Sequence, residues 1–152
     1  MKVVLRGSSP LFSALGIPPA PSAGKVRPVL RPVLRRGTAD KIHIGMTAVD
    51  VLAAFPGQTK FSELDSRADI FPDPSKRRRP DLTIEITNGL VTAIRVYSSR
   101  YKTDAGVGPG DSLITLANLH EIRWTDENIA EVQGLNMKFQ FQKDRIISVL
   151  LS

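Results

Sequence analysis

The chain has 152 residues, enough for one domain with a substantial apolar core. It contains no cysteine, which excludes disulfides, thiolate chemistry, zinc–sulfur sites and a lipid-attachment cysteine, and no run approaches the ~18 apolar residues of a membrane span. The net charge of +6 is local: residues 1–40 hold seven cations (Lys2, Arg6, Lys25, Arg27, Arg31, Arg35, Arg36) against Asp40 alone, whereas residues 41–152 hold 14 charges of each sign and so give no reason to expect a broad phosphate-binding face.

Six of the eleven prolines fall in residues 1–38. Pro18-Pro19-Ala20-Pro21 and the near-tandem Arg27-Pro28-Val29-Leu30-Arg31-Pro32-Val33-Leu34 exclude regular helix, because each proline removes a donor and restricts its predecessor. Residues 1–38 therefore read as a disordered, Pro/Arg-rich basic leader. A signal peptide is the competing reading, with Lys2 and Arg6 as its positive start and Ala20-Pro21-Ser22-Ala23 before cleavage. Its apolar stretch, Leu11–Ile17, is short and interrupted by Ser13 and Gly16.

The folded part is expected over 39–152. Ile42 and Ile44 alternate with Lys41 and His43 as in a short strand. Thr47 is a good N-cap, with Asp50 in the position of a capping box, and Val51, Leu52 and Phe55 share one helix face before Pro56-Gly57 ends it. Phe61, Leu64, Ile70 and Phe71 suggest one irregular strand with a polar end. Residues 82–86 and 92–96 alternate as a hairpin around Asn88-Gly89. The same order returns: a helix after Gly110-Asp111-Ser112, then Met137–Phe141, a turn at Lys143-Asp144, and Ile146–Leu150.

Parity sets the expected register. A two-residue turn would put Ile94 on the wrong face, whereas a three-residue loop, 88–90, pairs Ile84 with Ile94 and Leu82 with Val96. The same arithmetic pairs Phe139 with Val149 and Met137 with Leu151. The inner face then holds Leu82, Ile84, Ile86, Ile94, Val96, Met137, Phe139, Phe141, Ile147, Val149 and Leu151, covered by helices over 48–55 and 113–120. The outer face holds Thr83, Glu85, Arg95, Tyr97, Lys138, Gln140, Ser148 and Leu150.

Candidate chemistry is sparse. Gly106-Val107-Gly108-Pro109-Gly110 lies between strand and helix, but a dinucleotide loop would need glycine at Asp111, so the run reads as a hinge with Asp111 or Ser112 as N-cap. His43 and His120 are isolated from any nucleophile or second ligand, and His120 ends a helix where a cation suits the dipole. Glu63, Asp65, Asp69 and Asp73 lack the density and glycine turn of a calcium loop and precede Lys76, Arg77, Arg78 and Arg79, which together read as a self-neutralising solvated loop. That basic run is also a candidate anion site. Aromatic and arginine side chains dominate binding hot spots, so Glu85, Arg95, Tyr97, Arg100, Tyr101, Lys138 and Gln140 form the candidate protein-binding set on the outer face and its rim, while Trp124 is either core or interface.

Asp40–Leu52, with Ile44-Gly45-Met46-Thr47 before a short helix, resembles the opening of the small outer-membrane assembly lipoproteins of the SmpA/OmlA type. The tandem order, with Ser99-Arg100-Tyr101-Lys102-Thr103 and a Gly-rich joint, resembles β-lactamase-inhibitor-protein-like domains of bacterial envelope proteins. The resemblance covers about residues 40–152. It implies no catalytic residue, metal or cofactor, and binding of another protein through the open sheet face. It implies a periplasmic or envelope location, with the cytoplasm as the alternative because no lipobox or clear signal peptide is present. The expected fold is α+β: two tandem helix–β-meander repeats, 40–103 and 107–152, forming an antiparallel sheet with short helices on one face. The expected function is a non-catalytic protein-binding module of accessory, inhibitor or immunity type. The alternative is a nucleic-acid or ribonucleoprotein accessory acting through the leader and Lys76–Arg79; a hydrolase using Glu63, Asp65 and Asp69 ranks third.

Overall fold

The computed structural model describes residues 32–62, 64–71 and 79–152, all within one compact unit, Arg31–Ser152. The leader up to residue 31, Glu63, Asp73 and Lys76–Arg78 lie outside the described residues. The chain runs through β1 (Val33–Arg35), β2 (Thr38–Ala39), β3 (Ile42–His43), α1 (Ala48–Ala54), β4 (Thr59–Ser62), β5 (Arg67–Ile70), β6 (Leu82–Thr87) and β7 (Leu90–Val96). It continues through β8 (Lys102–Thr103), α2 (Leu113–Leu119), β9 (Ile122–Asp126), β10 (Ile129–Val132), β11 (Met137–Gln142) and β12 (Arg145–Leu151). The architecture is α+β: an eight-stranded antiparallel sheet ordered β4-β5-β6-β7-β12-β11-β10-β9, a small sheet ordered β3-β2-β1-β8, and two short helices. Within the small sheet β1 and β8 run parallel. Among the described residues no helix is long and apolar enough to cross a membrane.

The fold reaches back past the expected boundary at residue 39. Leu34 is 1% exposed in the core, and Val33 and Leu34 align with Lys102 and Thr103 in β8. Pro32 precedes the strand instead of interrupting it, and its carbonyl accepts the Lys102 amide at 3.2 Å. A proline at a strand entry removes no ladder bond, so proline content alone was a misleading boundary signal.

Two apolar rows cross the eight-stranded sheet on its inner face. One passes through Ile70, Leu82, Val96, Val149, Phe139 and Ala130; the other passes through Ala68, Ile84, Ile94, Leu151, Met137 and Val132. All twelve are buried in one cluster with Val51 and Leu116 from the helices and Phe55 at the end of α1. Burial of each large side chain here contributes about 1.5–3 kcal/mol before conformational entropy is subtracted. Between these rows, pointing outward, runs Lys60, Asp69, Thr83, Arg95, Leu150, Lys138, Glu131 and Arg123.

The expected pairs Ile84–Ile94, Leu82–Val96, Phe139–Val149 and Met137–Leu151 are present, but the loop that produces them is different. The turn at Asn88-Gly89 has two residues, with φ of 53° and 78°, and Thr87 pairs with Leu90. Positive φ at both central residues matches the twist of a hairpin. A bulge then leaves Thr92 without a partner and restores the parity. Lys143-Asp144 repeats this, with φ of 52° and 63°, and there the bulged residue is Ile147. Consequently Ile146, not Ile147, is buried on the inner face at 2% exposure, and Ile147 turns outward.

The segment expected as one irregular strand is a hairpin, β4–β5, turning through Leu64 and Asp65 at φ of 56° and 64°. A second hairpin, β9–β10, fills residues for which no element was expected. Thr47 and Ser112 cap the helices by accepting the amides of Asp50 and Thr115, each at 3.2 Å. Three hydrogen bonds tie each helix entry to its hairpin in matching positions. Gly45 N–H donates to Val91 and Gly110 N–H to Ile146; Val91 N–H donates to Met46 and Ile146 N–H to Asp111; Ala48 N–H donates to Gly89 and Leu113 N–H to Asp144.

Candidate protein-binding site

The outward row places a depression at the centre of the sheet. One lobe, about 410 Å³, is lined by Arg67, Thr83, Glu85, Thr87, Arg95 and Tyr97. A second, about 340 Å³, is lined by Arg67, Arg79, Tyr97, Gln140, Ile147 and Ser148. The lobes share Arg67, Thr83 and Tyr97 and therefore form one groove.

Its floor is polar and hydrogen-bonded. Thr83 Oγ1 donates to Asp69 Oδ1 at 3.1 Å, and Arg67 Nε donates to the same oxygen at 3.2 Å. Ser148, 2% exposed, donates to Gln140 Oε1 at 3.1 Å and accepts Arg95 Nη1 at 3.5 Å. Both buried hydroxyls are thus satisfied, as buried polar groups must be. Arg79 lies over the Tyr97 ring, 5.5 Å from its centroid, a cation–π geometry that orients the aromatic face. The Tyr97 backbone is held by its amide to the Asp81 carbonyl at 2.9 Å.

Of the seven expected binding residues, the structure brings Glu85, Arg95, Tyr97 and Gln140 to the groove. Lys138 lies in the same outward row beyond Leu150. Arg100 and Tyr101 do not join them: both line a separate depression of about 220 Å³ with Asp40, Lys41, Phe55 and Asp81. Tyr101 is only 3% exposed and cannot present area to a partner. Burial first, and then the nearby Asp40 and Asp81 carboxylates, push its hydroxyl pKa up. Arg100 pairs with Asp81 at 3.7 Å.

Trp124 is 48% exposed on the edge strand β9, its ring tilted against Phe141 at 5.6 Å, so it is neither core nor part of the groove. The Gly-rich run is tied down by hydrogen bonds. Gly108 N–H and Lys102 Nζ both donate to Asp111 Oδ2, at 2.9 and 2.8 Å. Burial lowers the His120 pKa, which disfavours a cation at the helix end; its Nε2 lies 3.3 Å from Thr103 Oγ1. His43 is exposed, its Nδ1 3.0 Å from the Ile44 carbonyl.

Of the acidic set, Asp65 occupies a turn and Asp69 is bound to Arg67 and Thr83, while Glu63 and Asp73 lie outside the described residues. The anion candidate Lys76–Arg78 lies outside the described residues, which leaves Arg79 at the groove. Sequence reasoning missed Arg67 as a groove residue. Its signal is pairing with Glu85, which appears only once β5 is recognised as the neighbour of β6.

No protein-family model matches the chain, and no curated protein matches it either. A solved structure, that of the uncharacterized protein yfeY from Escherichia coli, overlaps 79% of this chain and 96% of its own, at 12% identity and a TM-score of 0.48.

Proposed function

We propose that this chain is a non-catalytic protein-binding module that engages its partner through the outer groove of the eight-stranded sheet. One observation carries the reading: Arg95 and Tyr97, both of residue types enriched at binding hot spots, sit together and half-buried on a concave face that no other described element covers. The groove combines them with hydrogen-bonded polar groups already fixed in place, which lowers the ordering cost of association.

We read the chain further as two tandem helix–meander units, 40–103 and 107–152. The three matched pairs of hydrogen bonds at Gly45 and Gly110, Met46 and Asp111, and Ala48 and Leu113 support this, as do the two alike bulged hairpins. This unit order is the one for which the sequence resembles inhibitor-like and envelope-assembly domains, and an envelope accessory, inhibitor or immunity role is the corresponding proposal.

The test is a comparison of the full-length chain with the Arg95→Ala/Tyr97→Ala double variant on a partner captured at both low and high salt. Affinity should fall at least about thirtyfold, equivalent to about 2 kcal/mol, with Tm unchanged. Equal affinity for the double variant would exclude the groove as the binding site. Capture of nucleic acid alone, lost at high salt, would move function to the basic leader.

A further inference from the structure

The arginines of the described fold differ in how they are compensated. Arg35 pairs with Asp104 at 3.3 Å, Arg67 with Asp69 at 3.2 Å, Arg100 with Asp81 at 3.7 Å, and Arg123 with Glu131. Among the described residues Arg95, although half-buried, has no carboxylate within ion-pair distance and makes one hydrogen bond, the long contact to the neutral Ser148 hydroxyl at 3.5 Å. A guanidinium carries five donors and stays charged at any pH of interest. Leaving it partly desolvated without a counter-charge costs free energy that a bound anion would recover.

We propose that the groove recognises a single acidic side chain of a partner protein, its carboxylate seated on the Arg95 guanidinium. This rests on the outer face being the docking surface and names what that surface reads. The Ser148 hydroxyl hydrogen is committed to Gln140 and that of Thr83 to Asp69. Of the other groove arginines, Arg67 is paired with Asp69 and Arg79 lies over the Tyr97 ring, so the carboxylate is assigned to Arg95. Tyr97, with Ile147 in the adjoining lobe, supplies apolar surface for the stem of an Asp or Glu side chain. Glu85 in the groove wall and Asp69 beneath Thr83 repel a continuous polyanion. That repulsion grows with the charge brought in, so it disfavours a run of phosphates more than a single carboxylate.

The experiment selects a randomised heptapeptide library on the full-length chain and on its Arg95→Gln, Arg95→Lys and Tyr97→Ala variants, each first checked for a wild-type Tm. The wild-type chain should enrich peptides with one Asp or Glu at a fixed position. Replacing that acid by its amide should weaken binding at least about tenfold, the effect of losing a charge-assisted hydrogen bond. Arg95→Gln should remove the acidic preference, and Arg95→Lys, which keeps charge but not the two-pronged geometry, should weaken binding about fivefold or more. Selected peptides without acidic enrichment, but sensitive to Tyr97→Ala, would overturn carboxylate recognition and leave the docking face standing. Peptides insensitive to both positions, or no selection at all, would overturn both. Tighter binding of an oligothymidylate than of any selected peptide, lost in the Arg95→Gln variant, would assign the groove to a polyanion and overturn the proposal.

Discussion

Arg95 and Leu150 stand directly opposite each other across the β7–β12 seam, a cation beside an aliphatic side chain on the outer face of the sheet. Leu150→Glu would place a carboxylate against the guanidinium. A cross-strand ion pair contributes about 0.2–1 kcal/mol, which offsets much of the lost leucine burial. The urea midpoint is therefore expected to change by less than about 1 kcal/mol equivalent, while partner affinity falls, because the groove is neutralised from within. Unchanged affinity in a stable Leu150→Glu variant would argue against Arg95 as the anchor.

Among the described glycines, Gly108 is the one at which a Cβ would clash with fixed backbone. A Cβ there would lie 2.1 Å from the Tyr101 carbonyl oxygen and 3.2 Å from its carbon, both backbone atoms that cannot rotate away. Gly108→Ala should destabilise by about 2–4 kcal/mol, read by chemical denaturation. Gly57→Ala is the contrast: nothing lies within 4 Å of its Cβ, and only the φ of 75° is strained, for a cost of about 1 kcal/mol.

Asp111 and Asp81 should give opposite pH signatures. Burial pushes the Asp111 carboxyl up, but the hydrogen bonds from Lys102 and Gly108 and the charges of Lys102 and Arg145 outweigh it and leave the pKa lowered. Its folded value lies below the unfolded one, so its contribution is present above about pH 4 and lost as pH falls through the folded value. Asp111→Asn should cost about 1–3 kcal/mol at pH 7 and less at pH 3. For Asp81, burial raises the pKa and Arg100 only partly opposes it. The folded value lies above the unfolded one, and its penalty develops as pH rises through that value. Asp81→Asn should therefore raise the urea midpoint at pH 7 and leave it nearly unchanged at pH 3.

Tyr101→Phe tests the removal of Tyr101 from the binding surface. Among the described residues its buried hydroxyl makes no hydrogen bond. The variant should be neutral or more stable by up to about 1 kcal/mol, with partner affinity unchanged. A loss of affinity would return this residue to the interface.

Phe139→Ala and Trp124→Ala separate core from edge. Phe139 is fully buried in one apolar row, and its truncation should cost about 3–5 kcal/mol. Trp124, half-exposed against Phe141, should cost about 1 kcal/mol or less. Parallel thermal melts settle the comparison.

Local chemistry carried much of the fold. Thr47 and Ser112 cap helices because each offers an oxygen to an orphan amide one turn on. The strands containing Ile84 and Ile94, and those containing Phe139 and Val149, were readable because strict alternation admits few ways to bury one face. The β4–β5 and β9–β10 hairpins were not readable in this way. Leu64 and Asp65 turn at positive φ without glycine or asparagine, and β9 is nearly all exposed, so neither turn chemistry nor alternation marks them.

The sequence by itself determined the α+β content, the polarity of the two sheet faces and the placement of Glu85, Arg95, Tyr97, Lys138 and Gln140 on the outer one, since these follow from periods of two and 3.6 residues and from capping chemistry. Only the tertiary structure decided that β7 and β12 meet, bringing Ser148 and Leu150 beside Arg95. It alone buried Tyr101, turned Ile147 outward through a bulge and set Arg67 against Glu85. Those outcomes depend on pairing between residues distant in the chain and on one-residue bulges. Neither leaves a periodic trace, because many pairings satisfy the same alternation and only packing of the whole core selects among them.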